Sequence, residues 1–426
     1  MYSSPHMPSA PLAIENELAA LLPTECIRRA AASDAVCGVQ PRLVVEPANE
    51  QQLAAALRIA NDANLAVIPR GGGTKLGWGH PPQRADLIVS TARLSRIIEH
   101  AWADLTVSVQ AGCTIAALQS ALAQHGQRLA LDPLWPEQAT IGGILATNDS
   151  GALRLRFGAL RDLIIGITVA LPDGTLASSG GKVVKNVAGY DLPKLMTGAF
   201  GTLGVITRAI FRLHPLPLHS QTLSAATPTF EAAQHLLVRV QDSTLAHTSL
   251  QARAADNVEP IVDILFDGTP EGIAGQVAQF RQLADQTPSS EADKDVWNAR
   301  QQLADARDDC AIAKFSVLPA GIAKSLAAIS TTAATHNLSW QCITQATGLG
   351  LFCLGGNATK IHSALAQLRA QFSRDSGSLI LLRRPANLSA FDPWGDPGDS
   401  LTLMRALKSQ FDPKHTLNPG RFLGGI

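Results

Sequence analysis

Hydrophobic and polar positions along this chain follow two periods in turn. Residues 42–68 read as strand, helix, strand: RLVVEP, then NEQQLAAALRIANDAN, then LAVIP. In the middle segment the apolar residues at 53, 56, 57 and 60 share one face at helical spacing, and Pro47 with Asn49 marks the start. An Ala/Leu helix is expected at about 13–22. DLIVST (86–91) and LTVSVQAG (105–112) read as strands, and TIAALQSALAQHG (114–126) as a helix closed by Gly126. IIGITVALPDGTLA (164–177) reads as a hairpin about a Pro-Asp-Gly turn, and GVITRAIFRL as a strand ending at Pro215. Composition shifts near HPLPLHS (214–220). From 221 to 380 strand-like runs (IVDILF, GLFCLG, SLILL) alternate with Ala/Gln-rich helices (AAQHLLVRV, GQVAQFRQLADQ, ATKIHSALAQLRAQF). The tail from 400 is a short helix followed by FDPKHTLNPGRF. The pattern predicts an α+β protein with a boundary near 217.

At 426 residues and 46% hydrophobic, the chain can bury a large core in two or three domains. Lys plus Arg equals Asp plus Glu at 35 each, so no long-range attraction for nucleic acid is expected. The six cysteines (Cys26, Cys37, Cys113, Cys310, Cys342, Cys353) form no C-x-x-C pair. They suit a reducing cytosol and supply no iron–sulfur pattern, so any cluster would come from another chain. The start MYSSPHMPSAPLA has no basic region followed by an apolar one, and LIIGITVAL (163–171) is too short to span a bilayer. The expectation is a cytoplasmic protein, at most peripheral at the inner membrane through a complex. The histidines form no metal-binding pair on a helix and no G-x-S-x-G occurs, so neither a metal site nor a serine hydrolase is expected.

Four segments carry candidate chemistry. PRGGGTKLGWG (69–79) fails as a P-loop because Lys75 follows Thr74, and fails as a Rossmann fingerprint because Leu76 holds the last position. Its three consecutive glycines suit either a diphosphate nest flanked by Arg70 and Lys75, or a turn with solvated charges. TIGGILATNDSG (140–151) offers Gly142, Gly143 and Gly151 for close approach, and Thr140, Thr147, Asn148 and Ser150 as short polar groups. It suits a heterocycle edge or a phosphate, or else a buried bend. KVVKNVAGYDLPKLMTGAFGTLGVIT (182–207) groups Lys185, Asn186, Tyr190 and Asp191 ahead of glycines 198, 201 and 204. Tyr190 reads there as a packed core ring or a pocket residue. FDPKHTLNPGRF (411–422) reads as a clasp, a site contact, or both, through the turn Asn418-Pro419-Gly420.

Taken in this order, the four segments resemble the flavin-binding family typified by vanillyl-alcohol oxidase and p-cresol methylhydroxylase. PRGGGTK is similar to its first diphosphate loop, TIGGILATNDSG followed by RFGALRDLIIG to its second, GTLGVIT to the stretch at the adenine end, and NPGRF to the C-terminal return. Within that family KNVAGYDLPKLMTGAFGTLGVIT and FDPKHTLNPGR look most like the FAD-binding E subunits of bacterial glycolate oxidases. The resemblance implies a helical N-terminal extension at 1–35, a two-subdomain PCMH-type FAD-binding domain at 36–217, an α+β cap domain at 218–390 and a returning segment at 391–426. It implies that Arg70, Gly71, Gly72, Gly73, Thr74, Lys75, Thr140, Gly142, Gly143, Thr147, Asn148, Gly151, Gly204, Val205, Ile206 and Asn418 bind FAD. Lys185, Asn186, Tyr190 and Arg383 are further candidates near the flavin or pocket.

The departures matter too. Covalently flavinylated members carry a histidine in the first loop, where this chain has Leu76, Gly77 and Trp78, so FAD is expected without a covalent bond. The family's catalytic hydroxy-acid subunits carry a G-D-G-N-x-H segment and an E-H-G segment; here LGGNATK (354–360) lacks the Asp and His. No catalytic residue is therefore assigned. The resemblance implies a FAD subunit of a glycolate oxidase complex, beside a catalytic flavin subunit and an iron–sulfur subunit, supporting oxidation of glycolate to glyoxylate. A stand-alone FAD dehydrogenase of a small 2-hydroxy acid or alcohol, and a non-catalytic scaffold, are the alternatives.

Overall fold

The computed structural model describes residues 10–182, 190–285, 287–305, 309–388 and 391–426. The architecture is α+β: three larger sheets follow one another along the chain, each backed by helices. The first sheet runs Ile27–Arg29, Leu43–Val45, Leu87–Ser90, Val67–Arg70 across, with the last three parallel. Leu43, Val44, Val45, Leu87, Ile88 and Val89 are all buried, as parallel strands covered on both sides require. Helix Glu50–Asp62 makes the crossover; Asn49 caps it by accepting from the Gln52 amide, and Leu53, Ala56, Leu57 and Ala60 face the core.

The second sheet orders Ile97–Ala101, Thr106–Gln110, Val205–Arg212, Ile164–Ala170, Leu176–Gly180, all antiparallel. Its hairpin turns through Gly174 at φ 87°. Helices Ile115–Ala123 and Ile141–Thr147 fill the core against it. The second of these replaces the bend that its glycines suggested. Thr140 caps it by accepting from the Gly143 amide, and Ile141, Ile144 and Leu145 bury one face at i, i+3, i+4.

The third sheet has eight antiparallel strands between Ser289–Ala292 at one edge and Ser378–Arg383 at the other. Four helices, Phe230–Gln241, Pro270–Ala284, Ile322–His336 and Ala358–Arg374, cover one face. The opposite face presents Ile312, Ile343, Leu351, Cys353 and Leu382 to Leu134, Trp78 and Trp135 of the N-terminal half. Helix Ser400–Phe411 then leads the chain back to the first sheet, where Leu417 bridges Val67 in parallel. Val67 N–H donates to Thr416 O at 2.7 Å and Asn418 N–H to Val67 O at 2.9 Å. No helix among the described residues is long and apolar enough to cross a membrane.

Candidate functional site

The glycine loop leaves the carboxyl end of strand Val67–Arg70 and lies flush against the start of helix Ile141–Thr147. That closeness is what the glycines provide: a Cβ on Gly71 would sit 2.1 Å from Thr140 Oγ1, and one on Gly72 1.8 Å from Gln138 O. Gly73 has φ 77°, in the left-handed region. The amides of Gly71, Gly72, Gly73 and Thr74 have no acceptor among the described residues. They border a cleft of about 820 Å³ whose other walls are Thr140, Gly142, Gly143, Ala146 and Thr147 of the helix, and Phe200, Gly201, Gly204, Val205 and Ile206.

The C-terminal segment closes the cleft. Asn418, at φ 47°, donates through Nδ2 to Phe200 O at 2.7 Å, while its buried Oδ1 has no hydrogen-bond partner among the described residues. Arg421 is 2% exposed. Its guanidinium donates to the carbonyls of Leu76, Trp78 (2.9 Å) and His80 (3.4 Å), and lies over the Phe200 ring at 5.2 Å. The segment is pinned from behind by Lys408, whose buried ammonium donates to Thr202 O (2.9 Å), Leu417 O (2.8 Å) and Asp412 Oδ2 (2.6 Å).

Two charges of the glycine loop are already engaged. Arg70 donates to Asp34 Oδ1 at 2.6 Å. Asp34 also pairs with Arg28, and the two guanidinium groups hold its carboxyl far below the usual range. Lys75 is buried and pairs with Asp149 Oδ2 at 3.2 Å; burial lowers its pKa and Asp149 opposes that.

A second cavity, of about 1110 Å³, lies between the N-terminal half and the eight-stranded sheet. Leu131, Leu134, Ile343, Leu351 and Leu382 supply apolar wall; Asp132, Asp149, Arg154, Arg300 and Lys314 also line it. Asp149 pairs with Arg300, which also donates to Asp132 O at 3.3 Å. Burial would raise the Asp149 pKa, but Arg300 and Lys75 hold it at about 2. Asp132 accepts the amides of Gly151 (3.0 Å), Ala152 (2.6 Å) and Leu153 (3.3 Å), yet burial pushes its carboxyl up to about 6. The side chains of Arg154 and Lys314 make no hydrogen bond or ion pair among the described residues, and burial lowers the pKa of both. Ser150 Oγ and Gln345 Oε1, buried on the same wall, also lack partners.

Two sequence families match the chain. The family described as FAD binding domain matches residues 41–180, and that described as FAD linked oxidases, C-terminal domain, matches 396–422. The two matches cover about two fifths of the chain, and both are to FAD-binding or FAD-linked oxidase sequences. It is similar to the D-lactate dehydrogenase of Archaeoglobus fulgidus, 36% identical over 46% of this chain and 44% of that one. It is similar to the glycolate oxidase subunit GlcD of Bacillus subtilis, 35% identical over 45% of this chain and 41% of that one. These alignments span less than half the length of either relative. A D-2-hydroxyglutarate dehydrogenase of Xanthomonas citri is 26% identical over 89% of each chain. Among solved structures, p-cresol methylhydroxylase superposes with TM-score 0.78 at 14% identity, covering 97% of this chain and 96% of that one. An alkyldihydroxyacetonephosphate synthase superposes with TM-score 0.75 at 18% identity, covering 99% and 88%. These two likenesses establish the PCMH-type fold.

The FAD-domain cleft fits its cofactor: free loop amides suit anionic oxygens, the glycines leave no side chain in the way, and Asn418 Oδ1 is an unused acceptor. Arg70 to Lys75, Thr140, Gly142, Gly143, Thr147, Gly204, Val205, Ile206 and Asn418 all line this one cleft. Asn148 and Gly151 do not. Asn148 ends the helix in the left-handed conformation, and Gly151 packs on Asp132, whose Oδ2 would lie 2.3 Å from a Cβ there. Tyr190 is not a packed ring: it is 89% exposed and lines none of the cavities described. Arg383 lines an apolar hollow with Thr74, Trp78 and Trp135 and donates to Ala304 O at 3.3 Å. Lys185 and Asn186 lie outside the described residues. Sequence reasoning passed over Arg421, although it stands in NPGRF, and passed over Asp149, Arg154, Arg300 and Lys314.

Proposed function

We propose that this chain is the FAD-binding subunit of a glycolate-oxidising complex, handling electrons drawn from a small 2-hydroxy acid and passed on to an iron–sulfur partner. The observation that carries this reading is the adjacency of two cavities. A glycine-lined cleft whose loop amides have no acceptor among the described residues stands beside a chamber holding two cations unpaired among them, and Lys75 and Asp149 form the wall between the two. FAD bound in the cleft supplies a two-electron acceptor. The amides of Gly71 to Thr74 would hold its diphosphate, Gly142 and Gly143 would give it clearance, and Gly204, Val205 and Ile206 would meet its adenine side. Arg154 and Lys314 would hold the carboxylate of the hydroxy acid, with Arg300 beside them. The leucines and isoleucines of the chamber would lower the local dielectric, which strengthens each of these contacts. The relatives named for D-lactate, glycolate and D-2-hydroxyglutarate support the substrate class.

A second reading, a dehydrogenase that needs no catalytic partner, is favoured by the same chamber, since its cations all come from this chain. One experiment separates the two. The purified chain, loaded with FAD, is mixed without oxygen with glycolate or D-lactate, alone and with the partner flavin and iron–sulfur subunits. Bleaching of the oxidised flavin band in the chain alone supports independent dehydrogenase activity. Bleaching only with the partners supports the subunit. A chain that retains no FAD and bleaches in neither setting overturns both.

A further inference from the structure

Asp149 lines the chamber and pairs with Lys75, which lines the FAD cleft, so this ion pair links the two cavities. Asp149 Oδ2 lies 3.2 Å from Lys75 Nζ, on the wall of the FAD cleft, and its Oδ1 pairs with Arg300 in the chamber. The Leu134 amide also donates to Oδ2 at 2.9 Å. Asp149 and Lys75 side chains are 1% and 5% exposed, so water screens this pair little. One negative charge cannot neutralise two cations. The two oxygens of Asp149 hold both cations at once, so the net charge at Lys75 depends on where Arg300 stands, and the reverse.

We propose that Asp149 is a positioning residue that sets the anion affinity of the chamber and couples its occupancy to the charge facing the FAD. The proposal rests on the hydroxy-acid reading above. An entering carboxylate competes with Asp149 for Arg300. Once Arg300 turns to the ligand, Asp149 is left to Lys75, and the positive charge beside the cofactor is more fully cancelled. By reciprocity, a change at Lys75 must alter anion affinity even though Lys75 does not line the chamber.

The FAD-loaded protein is titrated calorimetrically with oxalate, a two-carbon dianion that a flavin cannot dehydrogenate, and its flavin midpoint potential is measured. Asp149→Asn is expected to bind oxalate about tenfold more tightly, because one buried repulsive charge is gone and Arg300 is released from its carboxylate partner. Its potential is expected to move positive, because Lys75 is no longer cancelled. Asp149→Glu restores both values toward those of the wild type. Lys75→Met is expected to weaken oxalate about threefold, because the Asp149 charge that repels the anion loses its compensating ammonium, and the double variant to be non-additive. Unchanged or weaker oxalate binding by a folded Asp149→Asn protein, or an unmoved potential, overturns the proposal. Should Asp149→Asn not fold, Lys75→Met decides alone, and unchanged oxalate affinity there overturns it. A wild-type protein that ignores oxalate removes the hydroxy-acid reading itself, a result distinct from either of these.

Discussion

Gly72 bears the tightest contact of the FAD cleft, 1.8 Å from Gln138 O to a hypothetical Cβ. Even one methyl group must push the loop off the turn that precedes helix Ile141–Thr147. Gly72→Ala is therefore expected to lower FAD affinity by at least about a hundredfold while leaving secondary structure intact. Flavin retained after gel filtration, with circular dichroism as control, measures it. Asp132 makes a pH prediction. Its folded pKa is raised by burial to about 6, against an ordinary value near 4. A raised folded pKa means the folded state prefers the proton. That contribution is complete below pH about 4 and is lost as pH rises through about 6. The stability of wild type relative to Asp132→Asn should fall across that window by up to about 3 kcal/mol. Denaturant melts at stepped pH test it. Glycines and their spacing were legible because they punctuate the chain locally. The Lys75–Asp149–Arg300 network was not, because its members stand far apart in sequence and each alone reads as a solvated charge.

At the scale of elements, the last segment is held by a buried pair rather than by apolar packing alone. Lys408→Met removes one partner and leaves Asp412 buried at 0% exposure. Breaking such a pair costs about 3–5 kcal/mol. The expected result is a lowered urea midpoint together with loss of bound FAD, because Leu417 and Asn418 are released with Asp412. Most elements were readable: the 53, 56, 57, 60 face, the Pro-Asp-Gly hairpin and the alternating runs after 220 all formed as their periodicity required. Helix Ile141–Thr147 escaped because Gly142 and Gly143 weaken helix propensity. Its Thr140 cap and its packing on the second sheet's core override them.

Across the whole molecule, the two halves meet through Leu134 against the far face of the cap sheet, Arg128 with Asp267 at 3.0 Å, and Trp135 Nε1 donating to Asp305 at 2.5 Å. Trp78 stands on this seam, where a flavin-linking histidine would otherwise be expected. Acid precipitation is therefore expected to release all of the flavin as free FAD, and colour left in the pellet would contradict it. The FAD cleft was foreseen because its four segments lie in order along one chain. The chamber was not, because its charges converge only when the eight-stranded sheet folds over the first two.

Arg421 lies 345 residues from Leu76, the carbonyl it holds. At about 10 residues per second, translation leaves the glycine loop waiting roughly half a minute for its final wall. A growing polypeptide on the ribosome therefore carries the diphosphate loop without a finished binding site. Flavin loading becomes a test passed only by chains translated through the NPGRF motif. A message cut short before that point would yield a colourless protein, however well its first two hundred residues had folded.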